Sequence, residues 1–353
     1  MKVLLLAPVD VPGGIATWAR IFMSETTLEV TCLDTARRYM VLGARQPVRR
    51  AIFGATAALR RTVQCVAAVR REDPDVVYIT CAPSLGLWLR DFPLLFILAR
   101  LAVPTVVHLH GGSRVGFFGW GRPLRWLSVK AFGKASAVLV ITRPLELLAQ
   151  ELLGDSRVRY LPNMLSADYM MASQSRAKGT LEVLETAARL PELQFELVGP
   201  VPADLQPVLD QRMLSLRLGD RVRFTGPLRG EDLHLAYASA EILLLPTRGE
   251  GFPLVVLEAM AHGLPVVASD VGAIAEMLGV ETDAPAGFVV PIAGIDVEMF
   301  VEQVSRLAAS ARLRQDLGSS GRRRVEHEYD ATTVVGKLDN LVRCVGNRRA
   351  LPR

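Results

Sequence analysis

The stretch EGFPLVVLEAMAHGLPVV, Glu250–Val267, decides the fold of this chain and most of its chemistry. It follows an apolar strand candidate, Ile242–Leu245, and the loop Pro246-Thr247-Arg248-Gly249. Pro253 suits the first position of a helix, where a missing N–H costs nothing, and Gly263 suits its end. From Gly251 to Ala261 the single charged residue is Glu258. A carboxylate on a helix this apolar is costly to bury without donors. A vicinal diol, such as that of ribose, offers two hydroxyl donors to one carboxylate. The unpaired N–H groups of Leu254 and Val255 at the helix start, with the dipole behind them, favour a phosphate. Glu250, eight residues before Glu258, is placed to reach a different part of the same ligand. A basic residue on another helix is the alternative partner for Glu258.

Outward from this segment, short β-branched runs alternate with longer helix-like stretches, the pattern of parallel sheets covered by helices. The strand candidates are Val3–Ala7, Leu28–Leu33, Val76–Thr80, Thr105–Leu109, Ala137–Ile141 and Val158–Leu161, then Phe195–Val198, Val222–Thr225, Ile242–Leu245, Val266–Ser269 and Phe288–Val290. With 353 residues, two domains are expected. The alternation restarts near Pro162-Asn163, which predicts an N-terminal domain over 1–162 and a C-terminal domain over 163–327. The stretch 328–353 is expected to be a helix that crosses back to the first domain. The fold class read here is α/β, two doubly wound Rossmann-like domains facing a central cleft. In such sheets ligands bind beyond the carboxyl ends of the strands. Gly13-Gly14 after the first strand lacks the GxGxxG form, which argues against a dinucleotide dehydrogenase.

Half of the residues are hydrophobic and 22% are charged, which excludes a disordered chain. The best uncharged apolar run, Phe92–Ala99, falls well short of the ~20 residues of a membrane span. Met1-Lys2 leads through Val3–Ala7 straight to Pro8 and Asp10, unlike a secretory leader. Cys32, Cys65, Cys81 and Cys344 are scattered without CxxC or metal spacing and read as free thiols of a reducing cytoplasm. The charge is uneven: residues 1–160 carry 21 Lys+Arg against 11 Asp+Glu, and Thr35–Arg71 holds nine arginines and no acid. Arg114–Lys134 adds five basic residues interleaved with Phe117, Phe118, Trp120, Trp126 and Phe132. Arginine with aromatic side chains suits an anionic membrane surface, at ~1 kcal/mol per basic residue. Ordinary solvated helix faces are the alternative. No nucleic-acid-binding pattern accompanies the charge, so nucleic acid is not an expected partner.

The run Glu250–Val267 resembles the E-x7-E signature of the GT-B nucleotide-sugar glycosyltransferases, specifically glycosyltransferase family 4. The likeness extends to Val222–Leu228 and Ala240–Ile242 before it, to Asp270–Glu276, Gly287–Pro291 and Leu313–Tyr329 after it, and to Gly13–Ala16 and Val107–Gly112 in the first half. It implies that Glu258 holds the ribose hydroxyls and Glu250 a hydroxyl of the donor sugar. The backbone N–H groups of Gly251, Phe252, Leu254 and Val255 would face the sugar and diphosphate. Lys178 matches the lysine that neutralises the diphosphate, Gly14 the glycine loop that lets backbone approach phosphate, and His110 the active-site histidine that contacts the donor sugar. Where the family carries Gly-Arg before its Lys-Gly, this chain has Ala172-Ser173, and Arg176 is the expected substitute cation. His108 is expected to be a hydrogen-bonded core residue, His262 structural, and His234 and His327 surface residues.

The resemblance further implies transfer of a sugar from a nucleotide-diphosphate donor to an acceptor hydroxyl with retention of anomeric configuration. The acceptor is a carbohydrate or is lipid-linked, and the setting is glycan, polysaccharide or glycolipid synthesis. No metal or cofactor is expected, and the leaving phosphate, rather than a protein base, helps to deprotonate the acceptor. Two other readings stay open: a nucleotide-binding GT-B protein impaired in catalysis by the Ala172-Ser173 departure, and a sugar-nucleotide epimerase.

Overall fold

The computed structural model describes residues 1–11, 13–35, 47–83, 87–111, 114–118, 121–165, 175–292 and 296–348. The chain divides into two compact units, one of Met1–Asn163 with Ala331–Arg353 and one of Met164–Asp330.

The first unit runs β1 (Lys2–Ala7), α1 (Gly14–Glu25), β2 (Glu29–Asp34), α2 (Pro47–Glu72), β3 (Val76–Cys81), α3 (Phe92–Arg100), β4 (Thr105–Leu109), α4 (Arg114–Phe117), α5 (Arg122–Phe132), β5 (Ala137–Val140), α6 (Arg143–Leu153) and β6 (Val158–Tyr160). Its six strands form one parallel sheet in the order β2-β1-β3-β4-β5-β6. Strands covered on both faces are largely apolar, and β3, β4 and β5 are buried at every position, β1 at all but Lys2. Alternate residues point to opposite faces. Leu4, Leu6, Val77 and Ile79 join the core under α2 and α3, while Tyr78 between them stacks on Trp18 and Phe22 of α1. The chain leaves β1 for β2 and returns to β3 on the other side of β1, so the order reverses beside β1, where such sheets bind ligands.

The second unit runs α7 (Thr180–Arg189), β7 (Phe195–Val198), α8 (Gln206–Ser215), β8 (Val222–Gly226), α9 (Gly230–Ser239), β9 (Leu243–Leu245), α10 (Leu254–Ala261), β10 (Val266–Ser269), α11 (Ile274–Leu278), β11 (Gly287–Val290), α12 (Val297–Ala308) and α13 (Ala311–Arg324). Its strands are also all parallel, paired as β7-β8 and as β11-β10-β9. Asp296 and Ser310 cap α12 and α13, accepting from the N–H groups of Glu298 and Leu313 at 3.0 and 3.2 Å. The last helix, α14 (Ala331–Gly346), belongs to the first unit and packs on α1, β3 and β4. Its Asp339, 5% exposed, accepts from Thr26 Oγ1 at 2.5 Å, Thr27 N at 2.8 Å and Thr27 Oγ1 at 2.7 Å. The residues that follow α1 are thereby tied to a residue 313 positions away.

Candidate functional site

In the second unit the segment quoted at the outset forms a loop and then α10, which packs on β10, α11 and α13. Val256, Leu257, Ala259 and Met260 are fully buried, as the unbroken apolar sequence requires. Pro253 is the N-cap, with extended backbone (ψ 117°), and not the first helical residue as the sequence suggested. Its ring supplies no acceptor, so no side chain caps the helix. The helix stops at His262, and Gly263 follows in the left-handed region (φ +74°).

Glu258 is 1% exposed. Its Oε2 accepts from the phenol of Tyr237 on α9 at 2.7 Å, a distance typical of an O–H···O⁻ bond. The expectation that this carboxylate must find its donors in a ligand, or else in a basic residue, is corrected: a neutral hydroxyl 21 residues earlier supplies one. The Tyr237 ring stacks on His262, centroids 4.9 Å apart at 23°. His262 Nδ1 lies 2.8 Å from the carbonyl oxygen of Glu258, and its Nε2 lies 2.8 Å from Nδ1 of the exposed His234. Burial, chiefly, holds the His262 imidazolium below its ordinary range.

Glu250 and Lys178 meet across 72 residues: Lys178 Nζ donates to Glu250 Oε1, with the Glu250 side chain mostly covered. The loops that carry them are bound to each other. Arg248 N and Thr247 Oγ1 both donate to the Ala177 carbonyl, at 2.8 and 3.1 Å, and the Arg248 guanidinium pairs with Glu182 on α7. Gly179, the N-cap of α7, sits at φ +77° against this loop; a Cβ there would stand 2.0 Å from the Pro246 carbonyl oxygen. On the other side Ala273 N donates to the Gly251 carbonyl at 2.9 Å. Gly272, at φ +61°, comes so close that a Cβ would lie 2.4 and 2.5 Å from the Glu250 and Gly251 carbonyl oxygens. The Glu250 loop is therefore clamped from both sides. Phe252 turns its ring into the core, edge-on to Tyr329 at 5.7 Å, so only its backbone remains for a ligand. Arg176 opens the short helical turn Arg176–Lys178, but its side chain lies outside the described residues, as do Ala172 and Ser173.

In the first unit Gly14 opens α1 behind β1, and a Cβ there would meet nothing within 4 Å. His110 follows β4, its backbone N–H donating to the Cys81 carbonyl at 2.8 Å. Burial pushes its pKa from the ordinary 6.5 down to about 3, so the ring is neutral at physiological pH. His110 Nε2 has no hydrogen-bond partner among the described residues. His108, two residues back on the same face, lies with its ring centroid 4.0 Å from that of His110 and takes Tyr78 Oη at 2.9 Å from Nδ1. Among the described residues no group of three or more His, Cys, Asp or Glu is placed to hold a metal ion.

The basic and aromatic patch is rearranged by the fold. Phe117 at the end of α4, Phe118 just after it and Phe132 on α5 are core residues, buried in the first unit. Trp126 is 62% exposed, with Lys130 Nζ 5.9 Å above its ring, and Arg122, Leu124 and Arg125 share its surface. Trp120 and residues 36–46 lie outside the described residues. All four cysteines are unpaired.

Two units of parallel strands covered by helices give the chain the GT-B fold. The chain belongs to glycosyltransferase family 4: residues 169–310 match the family described as "Glycosyl transferases group 1", and residues 14–164 match the "Glycosyl transferase 4-like domain". It is similar to the α-D-kanosaminyltransferase of Streptomyces kanamyceticus, with 25% identity over 98% of this chain and 95% of that one. It is 33% identical to the sulfoquinovosyl transferase of Arabidopsis thaliana over 46% of this chain and 30% of the relative. The chain spans about a third of the length of the first curated relatives it matches. Among solved structures it resembles Anabaena HepE in complex with UDP (TM-score 0.71, 17% identity, 96% of this chain and 98% of that one). The sucrose-phosphate synthase of Thermosynechococcus elongatus is likewise similar (TM-score 0.74, 17% identity, 99% and 100%).

Tyr237 and Thr247 are the residues the sequence reading missed. Tyr237 falls four positions after Leu233 on α9, and that spacing reads simply as a buried face.

Proposed function

We propose that the protein transfers a sugar from a nucleotide-diphosphate sugar to an acceptor hydroxyl, with retention, in glycan, polysaccharide or glycolipid synthesis. The observation that carries this reading is the Lys178–Glu250 pair, whose Glu250 lies in the loop that leads into α10, eight residues before the buried Glu258. In it Glu258 takes the ribose diol and Glu250 a sugar hydroxyl. The N–H groups of Leu254 and Val255, at the start of α10, take phosphate oxygens together with Lys178. As the glycosidic bond breaks, charge grows on the departing diphosphate, and Lys178 with the helix dipole stabilises it. His110, neutral and with Nε2 lacking a hydrogen-bond partner among the described residues, serves as a hydrogen-bonding group for the sugar rather than as a charge, and Gly14 leaves room for the ligand's approach. No metal or cofactor has a part in this scheme.

The HepE structures bound to UDP and to UDP-glucose support a uridine nucleotide as the first donor to try. A panel of nucleotide sugars is scored for thermal stabilisation, and the best is incubated with glycan and polyprenyl acceptors. Stabilisation by one donor, with a product of unchanged anomeric configuration by NMR, is expected. Stabilisation by none overturns the reading, and binding without transfer to any acceptor or water favours a nucleotide-binding protein.

The acceptor is carbohydrate or lipid-linked, and the protein works in the cytoplasm against the inner face of an anionic membrane. Trp126 and Leu124 among Arg122, Arg125 and Lys130 support this, as do the unpaired cysteines. Among the described residues no helix is long and apolar enough to cross a membrane. Sedimentation with phosphatidylglycerol vesicles at low salt, lost in Trp126→Ala, is the expected result; no sedimentation removes the membrane and the lipid-linked acceptor from the account.

A further inference from the structure

The reading above leaves Tyr237 without a task, although its hydroxyl is the donor the structure gives to Glu258 Oε2, at 2.7 Å in a buried setting. The geometry points to Tyr237 as a positioning residue that sets the discrimination of ribose from deoxyribose; this inference rests on the assignment of Glu258 to the ribose diol.

A glutamate has three side-chain torsions, and fixing them costs conformational entropy. A carboxylate that is already oriented when the nucleotide arrives does not pay that cost on binding. Tyr237 can impose such an orientation because it is itself immobile. Its ring lies against His262, and His262 is held in turn at both ring nitrogens. The Glu258 carbonyl oxygen can only accept, so His262 Nδ1 carries the hydrogen. In the neutral ring Nε2 then accepts, and His234 Nδ1 donates to it. The order of bonds runs from His234 through His262 to the backbone of Glu258, while the stacked tyrosine closes back on the side chain of the same residue. Backbone and carboxylate of Glu258 are thus located by one set of contacts from α9 and the end of α10.

A phenol also has a single hydrogen, so it satisfies one oxygen and leaves the carboxylate an acceptor for other donors. A site built to pair with a hydroxyl rejects the analogue that lacks it, by more than apolar contacts achieve. The structure therefore ties discrimination at the 2′ position to the Tyr237 hydroxyl through Glu258, without contact between Tyr237 and the sugar.

The experiment is a calorimetric cycle on the full chain with whichever of UDP, GDP or ADP binds the wild type tightest, and with its 2′-deoxy counterpart. Tyr237→Phe keeps the ring and its stack on His262 and removes only the hydroxyl. Wild type is expected to prefer the ribonucleotide by tenfold or more. Tyr237→Phe is expected to weaken the ribonucleotide about tenfold and the deoxynucleotide less than threefold, so that the preference collapses. Glu258→Gln is expected to show the same collapse, and adding Tyr237→Phe to it should cause little further loss. Equal weakening of both nucleotides assigns Tyr237 a merely structural role and overturns the inference, as does wild-type preference in Tyr237→Phe. If the wild type binds the ribo and deoxy forms equally, Glu258 does not read the diol. If it binds none of the three, the proposed function itself fails and this inference falls with it.

Discussion

Lys178 and Glu250, 72 residues apart, form an ion pair in the second unit. In the proposed reading the anion of this pair grips a sugar hydroxyl and the cation neutralises a diphosphate, whereas in the structure the two satisfy each other. On that proposal a donor divides them: the diphosphate takes over the ammonium, and the carboxylate turns to the sugar. The loops behind them, joined through Ala177, Thr247 and Arg248, hold both stems in place during that exchange.

Substitution at the two positions should therefore have opposite effects on nucleotide affinity. Lys178→Ala is expected to weaken nucleoside diphosphate binding and to lower turnover by 10²-fold or more, the scale of a lost stabiliser of developing charge. Glu250→Gln frees Lys178, so diphosphate binding should be equal or tighter while turnover still falls. Calorimetry and initial rates on the two variants check this; parallel loss of nucleotide affinity in both would contradict it.

Gly179→Ala forces a Cβ onto the Pro246 carbonyl in a left-handed backbone. The Glu250 loop must move away from the Lys178 turn. A loss of at least ~2 kcal/mol in unfolding free energy is expected, together with nucleotide binding. Urea melts and a titration on the same preparation measure both.

The buried neutral His110 makes the first unit acid-sensitive. Its folded pKa, about 3, lies below the 6.5 of an exposed imidazole. As pH falls through that interval the unfolded chain binds a proton that the folded chain refuses. Stability present above pH 6.5 is therefore lost toward pH 3, with a limiting slope of about 1.4 kcal/mol per pH unit. His108, pushed the same way by burial, adds to the effect. His110→Asn should flatten the dependence of the urea midpoint on pH between 7 and about 4; an unchanged slope would count against the assignment.

Asp339→Ala removes an acceptor of three hydrogen bonds that join α14 to the end of α1. It leaves the Thr27 N–H without its acceptor, and a cost of about 2–3 kcal/mol is expected. Differential scanning calorimetry would register it as a lower midpoint.

Much of this was legible in the chain. The strands could be read because β-branched apolar runs end abruptly at glycine, proline or a capping residue, and every proposed run contains an observed strand core. Pattern gave α10 and its lone carboxylate but misplaced Pro253 by one position, since helix onset is set by a single ψ angle. Long-range partners carry no local signal. Nothing near Lys178 points to Glu250, and a tyrosine four residues from a core leucine looks like core until its hydroxyl is found on Glu258. Three aromatic residues of the Arg114–Lys134 patch belong to the core for a related reason. Counting residues ignores which side of a helix they occupy, and Phe117, Phe118 and Phe132 point inward while Trp126 points out.

The account stands on Glu258 receiving hydroxyl donors from a nucleotide sugar, and calorimetric titration of the wild type and Glu258→Ala with a nucleoside diphosphate tests that most directly. Saturable binding by the wild type, weakened tenfold or more in a variant that still unfolds cooperatively, is the predicted result. Equal affinity in the two proteins would contradict it.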